Sequence, residues 1–123
     1  MIKYGIGDVE RFFKRTLQLT RYDAVKRRNL QFNIDLNDII LMFFDQQGKC
    51  ALTGWDLELV HGGNFKSKIN PKVATMDRID NTLGYVPGNI QLTCSYPNFI
   101  KGSLSNNEFI DLCKSVVENQ SKK

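Results

Sequence analysis

Residues 76–94 read MDRIDNTLGYVPGNIQLTC, and this stretch sets the architecture of the second half of the chain. Residues 73–79 (VATMDRI) and 90–94 (IQLTC) have the pattern of short β-strands. The segment between them, residues 80–89, is rich in Asp, Asn, Gly and Pro, which favour turns. Pro97 can begin a short helix through Ile100. The pattern therefore predicts a strand–loop–strand–helix unit.

The chain before this unit is predicted to be mainly helical. Asp8 can cap a first helix, and the helical spacing, as one helix or two short ones, continues to about Asn29. Residues 30–34 alternate and predict a short strand or an extended link. Asp35 can cap a second helix, apolar on nearly every side and ended by Gly48. We expect this second helix to form the centre of the core.

Two further segments complete the predicted architecture. After a tight turn at residues 50–54, residues 55–60 alternate as a strand, and residues 61–72 are predicted to be a loop. Ser105 and Glu108 form a capping box that opens a last amphipathic helix. Its apolar residues are Phe109, Ile110, Leu112, Val116 and Val117. The sequence thus predicts an α+β fold with helices at both ends.

The composition limits the class of protein. A chain of 123 residues with 41% hydrophobic residues suits one domain with a true core, so intrinsic disorder is excluded. The apolar run at residues 39–44 is too short to span a membrane. No signal-peptide pattern opens the sequence, so we expect a cytoplasmic protein. The single histidine excludes sites built on two or more histidines.

Positive charge is distributed unevenly along the sequence. Residues 1–30 contain eight Lys and Arg residues against three Asp and Glu residues. A second basic group, Lys66, Lys68 and Lys72, follows in a Gly- and Asn-rich stretch. Such segregation is typical of nucleic-acid binding, although two solvated faces explain it equally well.

Four polar residues occupy informative places in the strand–loop–strand–helix unit. Asp77 and Arg78 end the first strand, Asn89 precedes the second, and Asn98 lies in the short helix. A helix packed back on the two strands would bring Asp77 and Asn98 face to face. Two such oxygen donors, completed by water and phosphate, suit Mg²⁺ or another hard divalent ion.

Residues 76–94, together with Asn98 and Lys101, resemble the HNH, or ββα-metal, nucleases. The resemblance is to the small phage-type branch and to HNH restriction enzymes with Asp-Arg in place of Asp-His. Residues 26–32 (KRRNLQF), 47–54 (QGKCALTG) and 108–113 (EFIDLC) resemble the same branch. The likeness covers roughly residues 24–117.

The resemblance implies one nuclease domain over residues 1–123. Its ββα-metal (HNH) core is flanked by N- and C-terminal helices. We expect a helical part at residues 1–48, the hairpin and metal core at 49–101, and the last helix at 102–123.

The resemblance also assigns roles. Asp77 and Asn98 correspond to metal ligands for one Mg²⁺ or Mn²⁺ ion, and Asn89 to the residue that ties the loop together. Arg78 stands where most members have the general-base histidine. An arginine stays protonated, so it cannot accept a proton from water, although it can clamp a phosphate. The base is then His61 or metal-bound hydroxide, and both stay open.

The cysteines give little support to structural zinc. Cys50 is followed by Thr53 and Cys94 by Pro97, so each retains half of a Cys-x-x-Cys knuckle. Two thiolates do not close a tetrahedral site, and the spacing of Cys113 and His61 does not favour their completing one.

A metal-dependent DNA endonuclease is the implied function, with double-stranded DNA as the expected substrate. Predicted backbone contacts are Arg21, Arg27, Arg28, Lys66, Lys68, Lys72 and Lys101. A homodimer is an open alternative for double-strand cleavage. A catalytically impaired HNH-fold DNA-binding module and a phage-encoded regulatory protein are the rival readings, and a phage protein would act in the host cytoplasm.

Overall fold

The computed structural model describes residues 2–60 and 70–123, and the described residues form an α+β fold. The α+β class is as predicted, and the described elements are two antiparallel strands, four α-helices and one π-helical turn. In chain order the elements are α1 Ile6–Tyr22, a π-helical turn Asp23–Arg27, α2 Leu36–Asp45, β1 Ala74–Arg78, β2 Ile90–Cys94, α3 Ser95–Lys101 and α4 Asn106–Ser121.

The hairpin of β1 and β2 is the centre of the second half. Ala74 lies opposite Cys94, and Asp77 lies opposite Gln91. All five residues of β2 are buried, and α3 packs back against both strands. The register therefore places two polar side chains, Asp77 and Gln91, side by side in a buried position.

The first helix differs from its prediction at both ends. Gly5, not Asp8, is the N-cap; its N–H donates to an Asp8 carboxylate oxygen at 3.1 Å. The α-helix ends at Tyr22, and a π-helical turn replaces the expected last turns. The apolar residue Ala24 is buried in this π-helical turn, and the sequence pattern carries no signal that separates it from an α-helix.

The second helix begins as predicted. The Asp38 N–H donates to Asp35 at 2.9 Å, and the Asp35 N–H donates to Asp38 at 3.0 Å. Its burial is smaller than expected, since only Ile39 and Phe43 are buried. The core instead forms where α1 and α2 pack together and against the hairpin.

The strand predicted at residues 55–60 is not formed. Asp56 makes an isolated bridge with Lys49, and Glu58 makes one with Val73. A side chain from the N-terminal segment also holds this region, because the Tyr4 hydroxyl donates to Glu58 at 3.1 Å. Residues 30–34 are the extended link that was one of two expectations, with a single bridge from Phe32 to Tyr85.

The last helix has its predicted cap but not a buried face. Ser105 and Glu108 form the reciprocal capping box. None of the residues of α4 is buried, and Val117 is 63% exposed. No helix in the described part of the chain is long and apolar enough to cross a membrane.

Candidate active site

A polar cleft of about 290 Å³ opens where the hairpin, α3 and the end of the π-helical turn meet. Its lining residues are Arg28, Met76, Asp77, Arg78, Asn81, Tyr85, Asn98, Gly102 and Ser103. The fold thus brings Asp77, Arg78 and Asn98 together, as the sequence spacing suggested. The cleft also contains Arg28, which comes from the N-terminal half of the chain. The sequence predicts Arg28 only as one of several contacts to the DNA backbone.

The Asp77 carboxylate is buried and surrounded by donors. Its side chain is 5% exposed and lies 3.1 Å from the Lys101 ammonium, which is fully buried. Gln91 donates to the same carboxylate at 2.8 Å. Lys101 also donates to the Arg78 carbonyl at 2.8 Å. A buried charge pair with additional hydrogen bonds fixes both side chains in one position.

Gln91 is held in turn by the first residue of α4. The Gln91 side-chain N–H donates to Asn106 at 2.9 Å, and the Asn106 side-chain N–H donates back to Gln91 at 3.0 Å. The paired amides fix which end of Gln91 faces Asp77. A chain of hydrogen bonds therefore runs from Asp77 to the start of α4.

The Arg78 side chain is hydrogen-bonded to the loop that joins β1 and β2. One guanidinium nitrogen, Nη1, donates to the carbonyls of Asn81 at 3.0 Å and Leu83 at 2.9 Å. The guanidinium also lies over the Tyr85 ring at 5.6 Å. Only 7% of the residue is exposed, and its Nη1 nitrogen is bonded inside the fold.

Asn89 bonds the two ends of the same loop together. Its carboxamide oxygen accepts the Asp80 N–H at 2.9 Å, and its N–H₂ group donates to the carbonyls of Asp80 and Gly84. It is not among the residues that line the cleft. Asp80 accepts both the N–H and the hydroxyl of Thr82, which lowers the pKa of its carboxyl.

Asn98 lines the cleft with a side chain that is not hydrogen-bonded within the described structure. It lies on α3 and is half-buried. Its side-chain amide has no hydrogen-bond partner among the residues that the structure describes. An amide oxygen in this state is free to bind a ligand in the cleft.

The donor types in the cleft fit a hard divalent cation. Asp77 supplies carboxylate oxygens and Asn98 an amide oxygen, and Mg²⁺ commonly uses one or two such ligands and completes its shell with water or phosphate. Lys101 already neutralises Asp77, so a metal ion would compete with this ammonium for the carboxylate. No cluster of three or more His, Cys, Asp or Glu suited to a metal occurs in residues 2–60 and 70–123.

Of the other predicted site residues, three lie outside the described part of the chain and three are described but do not line the cleft. His61, Lys66 and Lys68 lie outside the described residues. Arg21 lies 6.0 Å from the Phe32 ring, Arg27 is exposed, and the Lys72 ammonium lies 5.3 Å from the Trp55 ring.

Lys101 has a place different from the one expected. It is 1% exposed and bonded to Asp77, so in this structure its ammonium does not face a DNA backbone. Sequence spacing shows that Lys101 is near Asn98 along α3, but it does not show that its side chain turns inward.

The two buried cysteines contact each other. The Cys94 N–H donates to Cys50 Sγ at 3.2 Å. The hydrogen bond from the Cys94 thiol lowers the pKa of Cys50 to about 5, against the opposing effect of burial, and the pKa of Cys94 is raised. Cys113 is exposed on α4.

This hairpin, with a helix packed back on it, defines an HNH-like fold. A solved structure with this architecture is that of the rare-cutting HNH restriction endonuclease PacI, which was described with a mechanism of DNA perturbation. The two chains superpose with a TM-score of 0.58 at 24% identity, over 85% of this chain and 76% of PacI. No family model matches the sequence, and no curated protein matches it. The likeness to PacI concerns the fold.

Proposed function

We propose that the protein is a metal-dependent endonuclease that hydrolyses phosphodiester bonds in double-stranded DNA. The observation that carries the proposal is the cleft itself, in which Asp77 and Asn98 share space with two arginines on an HNH-like fold. Oxygen donors beside guanidinium groups match the two needs of phosphodiester hydrolysis, a metal site and a phosphate site.

In this proposal Asp77 and Asn98 hold one Mg²⁺ or Mn²⁺ ion. When bound, the ion supplies Lewis-acid stabilisation of the phosphate and of the leaving oxygen. Gln91 and Lys101 hold the Asp77 carboxylate in position. Asn89 and Arg78 keep the loop closed around the cleft.

The residue that accepts a proton from water is not among the described residues that line the cleft. Arg78 stays protonated at any physiological pH. The Asp77 carboxylate is already paired with Lys101. His61 is thus proposed as the general base; in the alternative, the ion held by Asp77 and Asn98 would itself make water more acidic.

The test needs a variant that removes a ligand without disturbing the fold. Asp77→Ala would leave the buried Lys101 ammonium unpaired, so loss of activity in that variant would not separate catalysis from folding. Asn98→Ala is the sharper choice, because the amide has no internal partner in the described structure. Asn107→Ala, at an exposed position of α4, is the matched control.

The experiment is cleavage of supercoiled plasmid in Mg²⁺, Mn²⁺ or EDTA. We expect metal-dependent cleavage by the wild type and by Asn107→Ala, and a loss of at least about tenfold in Asn98→Ala, as for removal of a metal-site group. His61→Ala then tests the base. Absence of cleavage by the wild type with either metal would contradict the proposal.

A catalytically impaired DNA-binding module is the second candidate. The pairing of Asp77 with Lys101 favours it, because the one carboxylate among the described residues that line the cleft already has a cation. This candidate predicts salt-sensitive DNA binding that persists in EDTA, with no cleavage under any metal.

A further inference from the structure

Two of the described residues that line the cleft are arginines, Arg28 and Arg78. They differ in solvent exposure and in how many partners their guanidinium groups have within the fold. Arg78 is 7% exposed, and its Nη1 already donates to two carbonyls of the loop. The Arg28 side chain is 43% exposed. Its one side-chain partner within the described parts of the chain is Asp23, at 3.6 Å. An exposed ion pair of this length is weak, so the Arg28 guanidinium can exchange Asp23 for another anionic partner.

The charge of the cleft favours an anion. Lys101 neutralises Asp77 behind the cleft, and Asp23 pairs with Arg28 at its edge. With Arg78 these groups make three cationic side chains against two carboxylates, an excess of one positive charge. A phosphate group that enters the cleft meets a positive field and an exchangeable guanidinium.

The backbone between α1 and residues 30–34 explains why Arg28 reaches the cleft. The π-helical turn widens the last part of the helix, and the Arg28 N–H donates to the Asp23 carbonyl at 3.2 Å. Asn29 then adopts a positive φ of 51°, and the chain turns so that the Leu30 N–H donates to Ala24 at 2.8 Å. Single π-helical turns in helices occur frequently at functional sites.

We propose that Arg28 is the residue that binds the phosphodiester in the cleft, while Arg78 positions the loop. This inference rests on the proposed function and assigns a residue to its substrate contact. Asp23 holds the Arg28 side chain near the cleft before substrate arrives. A phosphate oxygen pair then replaces the Asp23 carboxylate as the partner of the guanidinium.

Arg11 offers a matched control for this proposal. It lies on α1 and forms an exposed pair with Asp8 at 3.4 Å, much as Arg28 pairs with Asp23 after the π-helical turn. It does not line the cleft. Arg11→Met and Arg28→Met therefore remove the same charge and a similar ion pair, and only the second removes a cleft cation.

The experiment measures the affinity for a fluorescein-labelled 30-base-pair duplex in EDTA as a function of salt, and then kcat and KM for cleavage. We expect Arg28→Met to bind the duplex about tenfold more weakly, in the range for loss of a charge-assisted hydrogen bond. The slope of log affinity against log salt should fall by about one phosphate contact. Cleavage efficiency should also fall at least tenfold, with partial recovery in Arg28→Lys.

The same data separate this inference from the proposed nuclease. The binding arm is run in EDTA and needs no catalysis, so a selective loss in Arg28→Met supports the phosphate site even when no variant cleaves DNA. Equal effects of Arg28→Met and Arg11→Met, or an Arg28→Met affinity within twofold of wild type, would overturn it. If the wild type binds no duplex at all, both proposals fail.

The assignment of Arg78 has its own readout. Arg78→Met should lower the midpoint of thermal unfolding, because two loop carbonyls lose their donor. Arg28→Met should leave the midpoint unchanged. The opposite pattern, with an unchanged midpoint in Arg78→Met, would contradict a positioning role for Arg78.

Discussion

The cleft has two walls that differ in how their polar groups are bonded. On the hairpin wall, Asp77 and Arg78 are buried and have two or more internal partners each, and Asn89 bonds the loop behind them. On the helical wall, Arg28 has one weak ion pair and Asn98 has no side-chain partner among the described residues. The hydrogen bonds of the hairpin wall maintain the geometry of the cleft, and the side chains of the helical wall are available to a ligand. Substitutions on the two walls should therefore affect different properties.

The largest expected effect is on the hairpin wall, at the buried ion pair. Lys101→Met should lower the free energy of unfolding by about 3–5 kcal/mol, because the Asp77 carboxylate is left buried with one hydrogen bond. Urea denaturation measures this change. Lys3→Met is the control, since its pair with Glu58 at 3.1 Å is exposed on the lysine side and its loss should change the free energy of unfolding far less.

A double variant sharpens this prediction. Asp77→Asn combined with Lys101→Met removes both charges, so its cost should be well below the sum of the two single costs. Additive costs would show that the pair is not coupled in the folded protein.

The next effect concerns Asn89. Asn89→Ala removes three hydrogen bonds of 2.9–3.0 Å and leaves loop groups without partners. The free energy of unfolding should fall by about 2–3 kcal/mol. Denaturation of Asn107→Ala alongside it should show a change below about 0.5 kcal/mol. An equally small change in the two variants would contradict a structural role for Asn89.

Gly84 tests how closely the loop docks on the N-terminal half. A Cβ atom there would lie 2.4 Å from the Gln31 carbonyl oxygen, next to the Tyr85 N–H that donates to the same oxygen. Gly84→Ala should cost about 1–3 kcal/mol, as for other overpacked sites. Gly7→Ala has open space within α1 and should instead stabilise by about 0.5–1 kcal/mol. Thermal unfolding of the two variants should move in opposite directions.

The smallest effect on stability is expected on the helical wall. Asn98→Ala breaks no internal side-chain hydrogen bond in the described structure, so the free energy of unfolding should change by under about 0.5 kcal/mol. Hydrogen exchange of β1 and β2 should also stay unchanged. A large loss of stability would mean that Asn98 supports the fold and would weaken its assignment as a free ligand.

Local sequence signals gave the helices and the hairpin. Two capping boxes, at Asp35 and Ser105, are written in adjacent residues, so they can be identified without tertiary information. The π-helical turn has no such signal, because the apolar spacing is equally compatible with an α-helix. The prediction of a strand at residues 55–60 was wrong. Alternation indicates a suitable side-chain pattern, but a strand also needs a partner strand along its length, and this segment makes only isolated bridges.

The candidate site was only partly visible in the sequence. The resemblance indicated that Asp77, Arg78 and Asn98 belong together, and they do line one cleft. Gln91 and the inward turn of Lys101 were missed, because spacing along the chain does not give side-chain direction. The antiparallel register could have found Gln91, since it lies directly opposite Asp77. Arg28 needed the tertiary fold, because it comes from a separate element.

The link between Gln91 and Asn106 has a consequence for the helix–coil equilibrium of α4. A 16-residue helix without a buried face is marginal in water and depends on its capped first turn. Asn106 is the first residue of that turn and also holds the amide that orients Asp77. Unwinding of α4 from its N-terminus would therefore remove the two hydrogen bonds that orient the Gln91 amide, and this amide lies one hydrogen bond from the buried Asp77 carboxylate.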